Sequence, residues 1–206
     1  MGRVEAREVR TPDGARYWVR TAEPADAAAN RRLDDHMHDH NPFKLTERGE
    51  MDRDEAGEAE WIGQHAANPC YLMLFAAEAA KAGEGEAYGR IAFRNGNRRK
   101  LAHHGTFGIG VHEAWRGRGL GSALITALLD WASEHPTLER VDLGVFANNT
   151  GARRLYRRLG FVRTGRSPAH FRLGPGRYTD DITMSIFVKP GVAPAPFKTW
   201  RAHPRP

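Results

Sequence analysis

The sequence predicts an α/β protein, one domain with a mixed sheet of about six to seven strands and about four flanking helices. Three observations predict it. Short apolar runs of period two, such as Phe107, Ile109 and Val111 or Ile182, Met184, Ile186 and Val188, read as half-buried strands. Between them lie stretches of helical period, such as Leu120, Leu124, Leu128 and Trp131. At 206 residues the chain can close one substantial apolar core but is short for two. The domain is expected over residues 1–188, followed by an irregular, basic, proline-rich tail over 189–206.

Thr11-Pro12-Asp13-Gly14 has turn chemistry, with Val9 before it and Tyr17 and Val19 after it, so the chain opens as a hairpin. Pro24 suits the first position of a helix, which continues over Ala25 to Asp39 until Asn41-Pro42 stops it. A second helix is expected from Asp52 to Ala67. Tyr71 to Ala77 and Ala87 to Arg94 read as strands that pair with each other, bounded by the Ala/Gly/Lys stretch before Gly85 and by Asn95-Gly96. The strand Phe107 to Val111 leads into a glycine-rich loop, and the helix after it closes at Pro136. Val141, Leu143 and Val145 alternate as the next strand. A short helix then carries Ala152, Leu155, Tyr156 and Leu159 on one face and stops at Gly160, where a left-handed cap costs least. Phe161 to Arg163 begins a strand, and the last period-two run ends at Val188. Pro190, Pro194, Pro196 and Pro204 make the tail irregular.

The formal charge of +6 favours anionic partners without choosing among nucleic acid, anionic lipid and a phosphorylated cofactor. The single cysteine, Cys70, cannot form an intramolecular disulfide, and its neighbours Tyr71 to Phe75 point to a buried thiol. Residues 1–10 contain no apolar leader core, and no stretch has the length to cross a bilayer. The expectation is a soluble, cytoplasmic protein with no membrane partner.

Strand, then Arg116-Gly117-Arg118-Gly119-Leu120-Gly121, then helix is an arrangement that can bind phosphate. Glycines let the backbone approach an anion, and the helix start supplies unpaired N–H groups and the positive end of a dipole. A tight strand-to-helix turn with no ligand is the other reading. Two better-known phosphate loops are excluded: the Lys-Ser/Thr ending of the P-loop is missing, and the chain lacks a long series of parallel βα units.

The stretch from Ile109 to Gly121 resembles the core of the GNAT acetyltransferases: a strand, then Arg or Gln, two residues, Gly, one residue, and Gly or Ala, positions held here by Arg116, Gly119 and Gly121. Downstream, Asn149, Ala152, Leu155, Tyr156, Gly160 and Phe161 are similar to that family's second signature. The element order agrees with the family over about residues 15 to 188. The resemblance implies the GNAT fold, with its sheet splayed at the cofactor site, and acetyl-CoA as acyl donor. It implies that the backbone of Ile109, Gly110 and Val111 pairs with the pantetheine arm. The amides of Arg116, Gly117, Arg118, Gly119, Leu120, Gly121 and Ser122 would hold the pyrophosphate, with the Arg116 side chain adding charge-assisted bonds. Asn149 and Ala152 are also placed at the cofactor, although Asn149 would serve equally as a helix cap with no ligand.

Tyr156 occupies the position of the family's catalytic tyrosine. A phenol of pKa about 10 stays protonated at neutral pH and can protonate a departing thiolate of pKa about 8.5. The bland alternative is a tyrosine that packs beside Leu155 and Leu159. No base is evident. An attacking ammonium of pKa about 10.4 must lose a proton, at a cost of roughly 4 to 5 kcal/mol at neutral pH. Some relatives that acetylate protein N-termini carry a glutamate on the strand before the Asn, where this chain has Gly144, a departure that weakens an N-terminal acetyltransferase reading. Tyr178, Asp180 and Asp181 lie just before the last strand, where related enzymes place substrate contacts; they are equally readable as a polar turn.

His36, His38 and His40 with Asp34, Asp35 and Asp39 invite a metal reading, but alternate spacing is expected to spread three imidazoles around a helix, so no metal is expected. By the resemblance this segment borders the acceptor cleft, which makes His38 an acceptor-contact candidate with Tyr178 and Asp180. The function expected is direct acetyl transfer in a ternary complex to a small amine or amino acid. Its alternatives are a silent acyl-CoA-binding sensor and a protein N-terminal or lysine acetyltransferase. Nucleic acid is not an expected partner, since no recognition-helix motif accompanies the basic surface. Phe197 and Trp200 of the tail would allow docking on a second copy in a homodimer.

Overall fold

The computed structural model describes residues 2–50, 53–197 and 199–201. It contains eight strands and four α-helices in an α/β arrangement with both parallel and antiparallel pairing, more strands than the sequence predicts. In chain order they are β1 (Arg7–Arg10), β2 (Arg16–Thr21), α1 (Ala27–His40), α2 (Glu55–Ala67), β3 (Tyr71–Ala77), β4 (Ala87–Asn95), β5 (His104–Val111), α3 (Leu120–Glu134), β6 (Arg140–Phe146), α4 (Thr150–Arg158), β7 (Val162–Gly174) and β8 (Arg177–Phe187). The chain divides into two compact units, Met1–Arg94 with Gly108–Leu128, and Asn95–Phe107 with Leu129–Pro206, whose boundaries fall inside β4, β5 and α3. No helix among the described residues is long and apolar enough to cross a membrane.

In the first unit β1, β2, β3 and β4 pair antiparallel in sequence order. The opening hairpin turns where the sequence places it, with the Thr11 N–H donating to Ala15 O at 2.8 Å. Pro24 does not start α1 directly. It opens a short 3₁₀ turn, Pro24–Asp26, and α1 follows. The second helix starts later than expected because Asp54 caps it, its carboxylate accepting from the Gly57 N–H at 2.8 Å. Residue 52, the expected start, lies outside the described residues. Leu33 and Met37 of α1, Ile62 of α2 and Met73 and Phe75 of β3 are buried in one apolar cluster.

A buried ion pair ties this core together. Arg20 of β2 donates to both carboxylate oxygens of Asp26, at 2.7 Å each, and side-chain exposures of 5% and 1% leave neither to water. The same carboxylate accepts from the Glu23 and Gly83 N–H groups at 2.9 Å. Burial pushes the Asp26 carboxyl up, but the Arg20 and backbone hydrogen bonds outweigh it and hold the group below the usual carboxylate range.

The second unit is built on β6, which pairs parallel with β5 over His104–Thr106 and antiparallel with β8 along its whole length. Val141, Leu143 and Val145 face Ile186, Met184 and Ile182 across that pair, and all six are buried. β8 also pairs with β7 in a long hairpin. Here the structure departs most from the sequence reading: β8 begins at Arg177 rather than Ile182, so Tyr178 and Asp180 lie within a strand and not before it. β7 is mostly exposed and its outer edge is left unpaired among the described residues. The described tail residues form no helix or strand beyond one isolated bridge, Phe187 to Thr199. Phe197 meets Phe187 edge-on at 5.2 Å between centroids, and the Trp200 indole N–H donates to Asp130 at 3.1 Å, so both aromatics dock within their own unit. Pro204 lies outside the described residues.

Replacing Asp26 strands the Arg20 charge in the core. Asp26→Asn is expected to lower the unfolding free energy at pH 7 by about 3 to 5 kcal/mol, measured by denaturant titration. Because the native carboxyl titrates below its unfolded value, its contribution is present above pH about 4 and fades as pH falls further, so the gap between variant and wild type should close in acid.

Candidate functional site

The loop between β5 and α3 carries the strongest arrangement in the first unit. Gly117 and Gly119 take φ values of +76° and +91°, in the left-handed region that costs a side-chain-bearing residue roughly 1 to 2 kcal/mol. A Cβ at either position would meet nothing within 4 Å, so these glycines are required by backbone conformation and not by crowding. Among the described residues the N–H groups of Gly117, Arg118, Gly119, Leu120 and Gly121 find no acceptor. They lie at the start of a 15-residue helix, whose dipole adds positive potential there. The arrangement can hold an anion with several phosphoryl oxygens.

The flanking side chains are fixed by local contacts. Arg116 is exposed and donates from Nε to Val111 O and from Nη2 to His40 O, both at 3.2 Å, so it lies against the strand end and α1. Arg118 lies over the Trp115 ring at 5.2 Å and pairs with Asp13 at 3.5 Å. Trp115 in turn stacks on Tyr88 at 3.9 Å. On β5, Gly110 is a spacing feature that the sequence reading missed: a Cβ there would run into the Met37 thioether, so the glycine is what lets that side chain of α1 lie on the strand as it does.

Two cavities open in this unit. One, of about 330 Å³, is lined by Arg32, Leu33, His36, Tyr88, His112 and Trp115 among others. The other, of about 150 Å³, is polar: Asp34, His38, Lys44, Glu58, Arg90 and Arg94 contribute to it. His38 therefore lines a cleft, 3.7 Å from Asp34, as an acceptor contact would require. The three histidines of α1 are only partly dispersed. His38 points to Asp34, whereas His36 and His40, four residues apart and so on one face, lie with tilted rings 4.4 Å apart. They converge with Glu113, one ligand-type atom of each within 4.8 Å of the others, a group able to hold a metal ion. His112 stacks on His36 at 3.5 Å, and burial together with the neighbouring imidazoles holds His36 below its ordinary pKa.

In the second unit the sequence signature folds as a capped helix. Asn149 Oδ1 accepts from the Ala152 N–H at 3.1 Å, which is the capping geometry and occupies the Ala152 donor. Tyr156, 6% exposed, sits edge-on to Phe107 and Phe161 at centroid distances of 6.1 and 5.9 Å. Burial pushes its phenol up to about 12. Of the acidic candidates, Asp180 is committed to structure. It accepts from the Ala169 N–H at 2.8 Å and pairs with Arg166, fixing a bulge in β7 where Ala169 takes φ of +50°. These contacts, the backbone one foremost, hold its carboxyl below the usual range. Tyr178 is 55% exposed on the hairpin. Asp181 is different: its carboxylate lies over Gly144, whose Cβ would stand 2.9 Å from Oδ1, and Oδ1 is buried with no hydrogen-bond partner among the described residues.

Comparison with known proteins places this geometry. A family model described as the acetyltransferase (GNAT) family matches residues 33–161, more than half of the chain. L-amino acid N-acetyltransferase AaaT of Escherichia coli is 28% identical over 102 residues, covering 50% of this chain and 62% of the relative, so the chain spans less than two thirds of that protein. Among solved structures, an acetyltransferase of the GNAT family from Streptococcus pneumoniae superposes with a TM-score of 0.72 at 23% identity, over 82% of this chain and 98% of the other. The yncA protein of Salmonella typhimurium, in a structure with its cofactor acetyl-CoA, superposes with a TM-score of 0.70 at 23% identity over 86% and 97%. At those identities the superpositions establish the fold.

If the loop depends on its left-handed glycines, Gly119→Ala should lower the unfolding free energy by about 1 kcal/mol in a chemical melt. Gly108→Ala, on β5 with open space and no left-handed φ, should cost no more than a few tenths of a kcal/mol, about the spread of an ordinary surface change.

Proposed function

Given that the chain belongs to the acetyltransferase (GNAT) family, we propose that it transfers an acetyl group from acetyl-CoA to the primary amine of a small amine or amino acid, by direct attack in a ternary complex. The observation that carries this reading is the row of acceptor-free N–H groups from Gly117 to Gly121 at the start of α3. The diphosphate of acetyl-CoA fits such a row, and the space above both glycines is open. The similarity to an L-amino acid N-acetyltransferase of Escherichia coli supports the acceptor class. A polar cleft lined by His38, Asp34, Lys44 and Arg90 has the chemistry of a charged small molecule, with Asp34 at present paired to Lys44 at 2.7 Å and to Arg90 at 2.9 Å. The acetyltransferase domain in this reading is residues 1–188, with 189–206 as its tail.

Acetyl-CoA supplies the activated acyl group. Holding it against an amine in attack geometry removes roughly 7 to 11 kcal/mol of barrier, more than one proton-transfer group contributes. Tyr156 donates its proton to the departing sulfur. A phenol pushed up to about 12 stays protonated throughout the neutral range, and the burial that raises it would also raise a thiol beside it, which narrows the mismatch between donor and acceptor. Phe107 and Phe161 fix the ring, so removing the hydroxyl should leave the packing intact.

Thiol release from acetyl-CoA should require an added amine, because no acyl-enzyme forms. Tyr156→Phe should lower kcat by about a hundredfold with little change in KM for acetyl-CoA or in melting temperature. Full turnover by that variant across the pH range would remove the proton-donor role and leave donor binding standing.

A further inference from the structure

We propose that Asp181 is the general base of the transfer, taking the proton from the ammonium group of the acceptor; the assignment rests on the acetyl-transfer reading above. Three buried or strand-held aspartates of the two units are committed to structure. Asp26 is saturated by Arg20 and two backbone N–H groups, Asp142 by Arg140 and Ser185, and Asp180 by Arg166 and the Ala169 N–H. Asp181 has no hydrogen bond or ion pair to its carboxylate among the described residues, although Oδ1 is buried. Leaving a buried carboxylate oxygen without a partner costs stability, and a cationic proton donor is the chemical class that would satisfy it.

Its position is built. Asp181 lies opposite Phe146 in the β6–β8 pair, and its carboxylate occupies the space that any side chain at 144 would need, 2.9 Å from Oδ1 and 3.2 Å from Oδ2. Gly144 is thus the residue that admits the carboxylate to that face of β6. The preceding residue locks the backbone, Asp180 O accepting from the Ala147 N–H at 2.9 Å, two residues before the Asn149 cap of the helix that carries Tyr156. Asp181 on β8 and Tyr156 on α4 thus belong to the same unit, and that backbone bond ties the strand of the one to the turn that leads into the helix of the other.

In the step, the N–H bond of the ammonium breaks as the O–H bond forms on Asp181. The freed lone pair forms the C–N bond to the thioester carbonyl carbon, the C–S bond breaks, and sulfur takes the phenol proton of Tyr156. The second nitrogen proton restores that phenol, and Asp181 returns its own to water, one proton per turnover.

The test is steady-state kinetics from pH 6 to 10 on the full chain, using whichever of a panel of L-amino acids and polyamines gives wild type its fastest thiol release from acetyl-CoA. Asp181→Asn should lower kcat/KM for the amine about a hundredfold at pH 7 and then climb about tenfold per pH unit toward the amine's own pKa, near 10.4. Wild type should stay level through neutral pH. KM for acetyl-CoA should be unchanged and the melting temperature equal or higher, since an unpartnered charge is gone. Gly144→Ala, which displaces the carboxylate without removing it, should also lower the rate. A variant with the wild-type rate, or with a reduced rate and the wild-type pH profile, overturns the assignment. No transfer by wild type to any panel amine overturns the acetyl-transfer reading and Asp181's role with it.

Discussion

A row of amide hydrogens with nothing to bind is the constraint around which the rest is arranged. Five consecutive N–H groups, Gly117 to Gly121, can stay unpaired only in a turn that faces away from the protein interior, and such a turn needs left-handed backbone at Gly117 and Gly119. The elements beside it brace that conformation. Trp115, stacked on Tyr88 and crossed by Arg118, holds the entry, Arg116 ties the turn to the carbonyl oxygens of Val111 and His40, and Met37 presses α1 onto Gly110. These contacts fix the loop's conformation within its own unit, and a loop so fixed would need little ordering to hold an anion.

This part of the molecule was legible in the sequence because its determinants are local. Glycine spacing, a strand of period two and a helix of period 3.6 all act within a few residues of one another, as do the Asn149 cap and the face that buries Tyr156. The hairpin of β7 and β8 was not legible. Its residues 164–181 are largely exposed on both faces, so no apolar alternation marks them, and the bulge at Ala169 breaks the period midway. The extra strand length turned Tyr178 and Asp180 from a turn into a strand. His36 and His40 were within reach: spacing of four puts two imidazoles on one helix face, even when a third between them points elsewhere.

Asp180 and Asp181 show why residue type alone could not assign the site. They are neighbours of the same chemistry, and a strand sends them to opposite faces. One face holds Arg166 and the strained Ala169, and its carboxylate is consumed there; the other holds a glycine and leaves its carboxylate unpaired. The distinction comes from the register of β8 on β6 and from an absent side chain at 144, both of which are properties of pairing across the sheet.

The outer border of β7 has a consequence for how the protein behaves in bulk. A strand this long, paired on one side, is a template on which foreign strands can add and fibres can grow. Here Pro168 withholds a donor, the kink at Ala169 interrupts the flat run, and Arg163, Arg166 and Arg172 set positive charges along the border. Each of these features opposes the flat, continuous pairing that an added strand would need along that border.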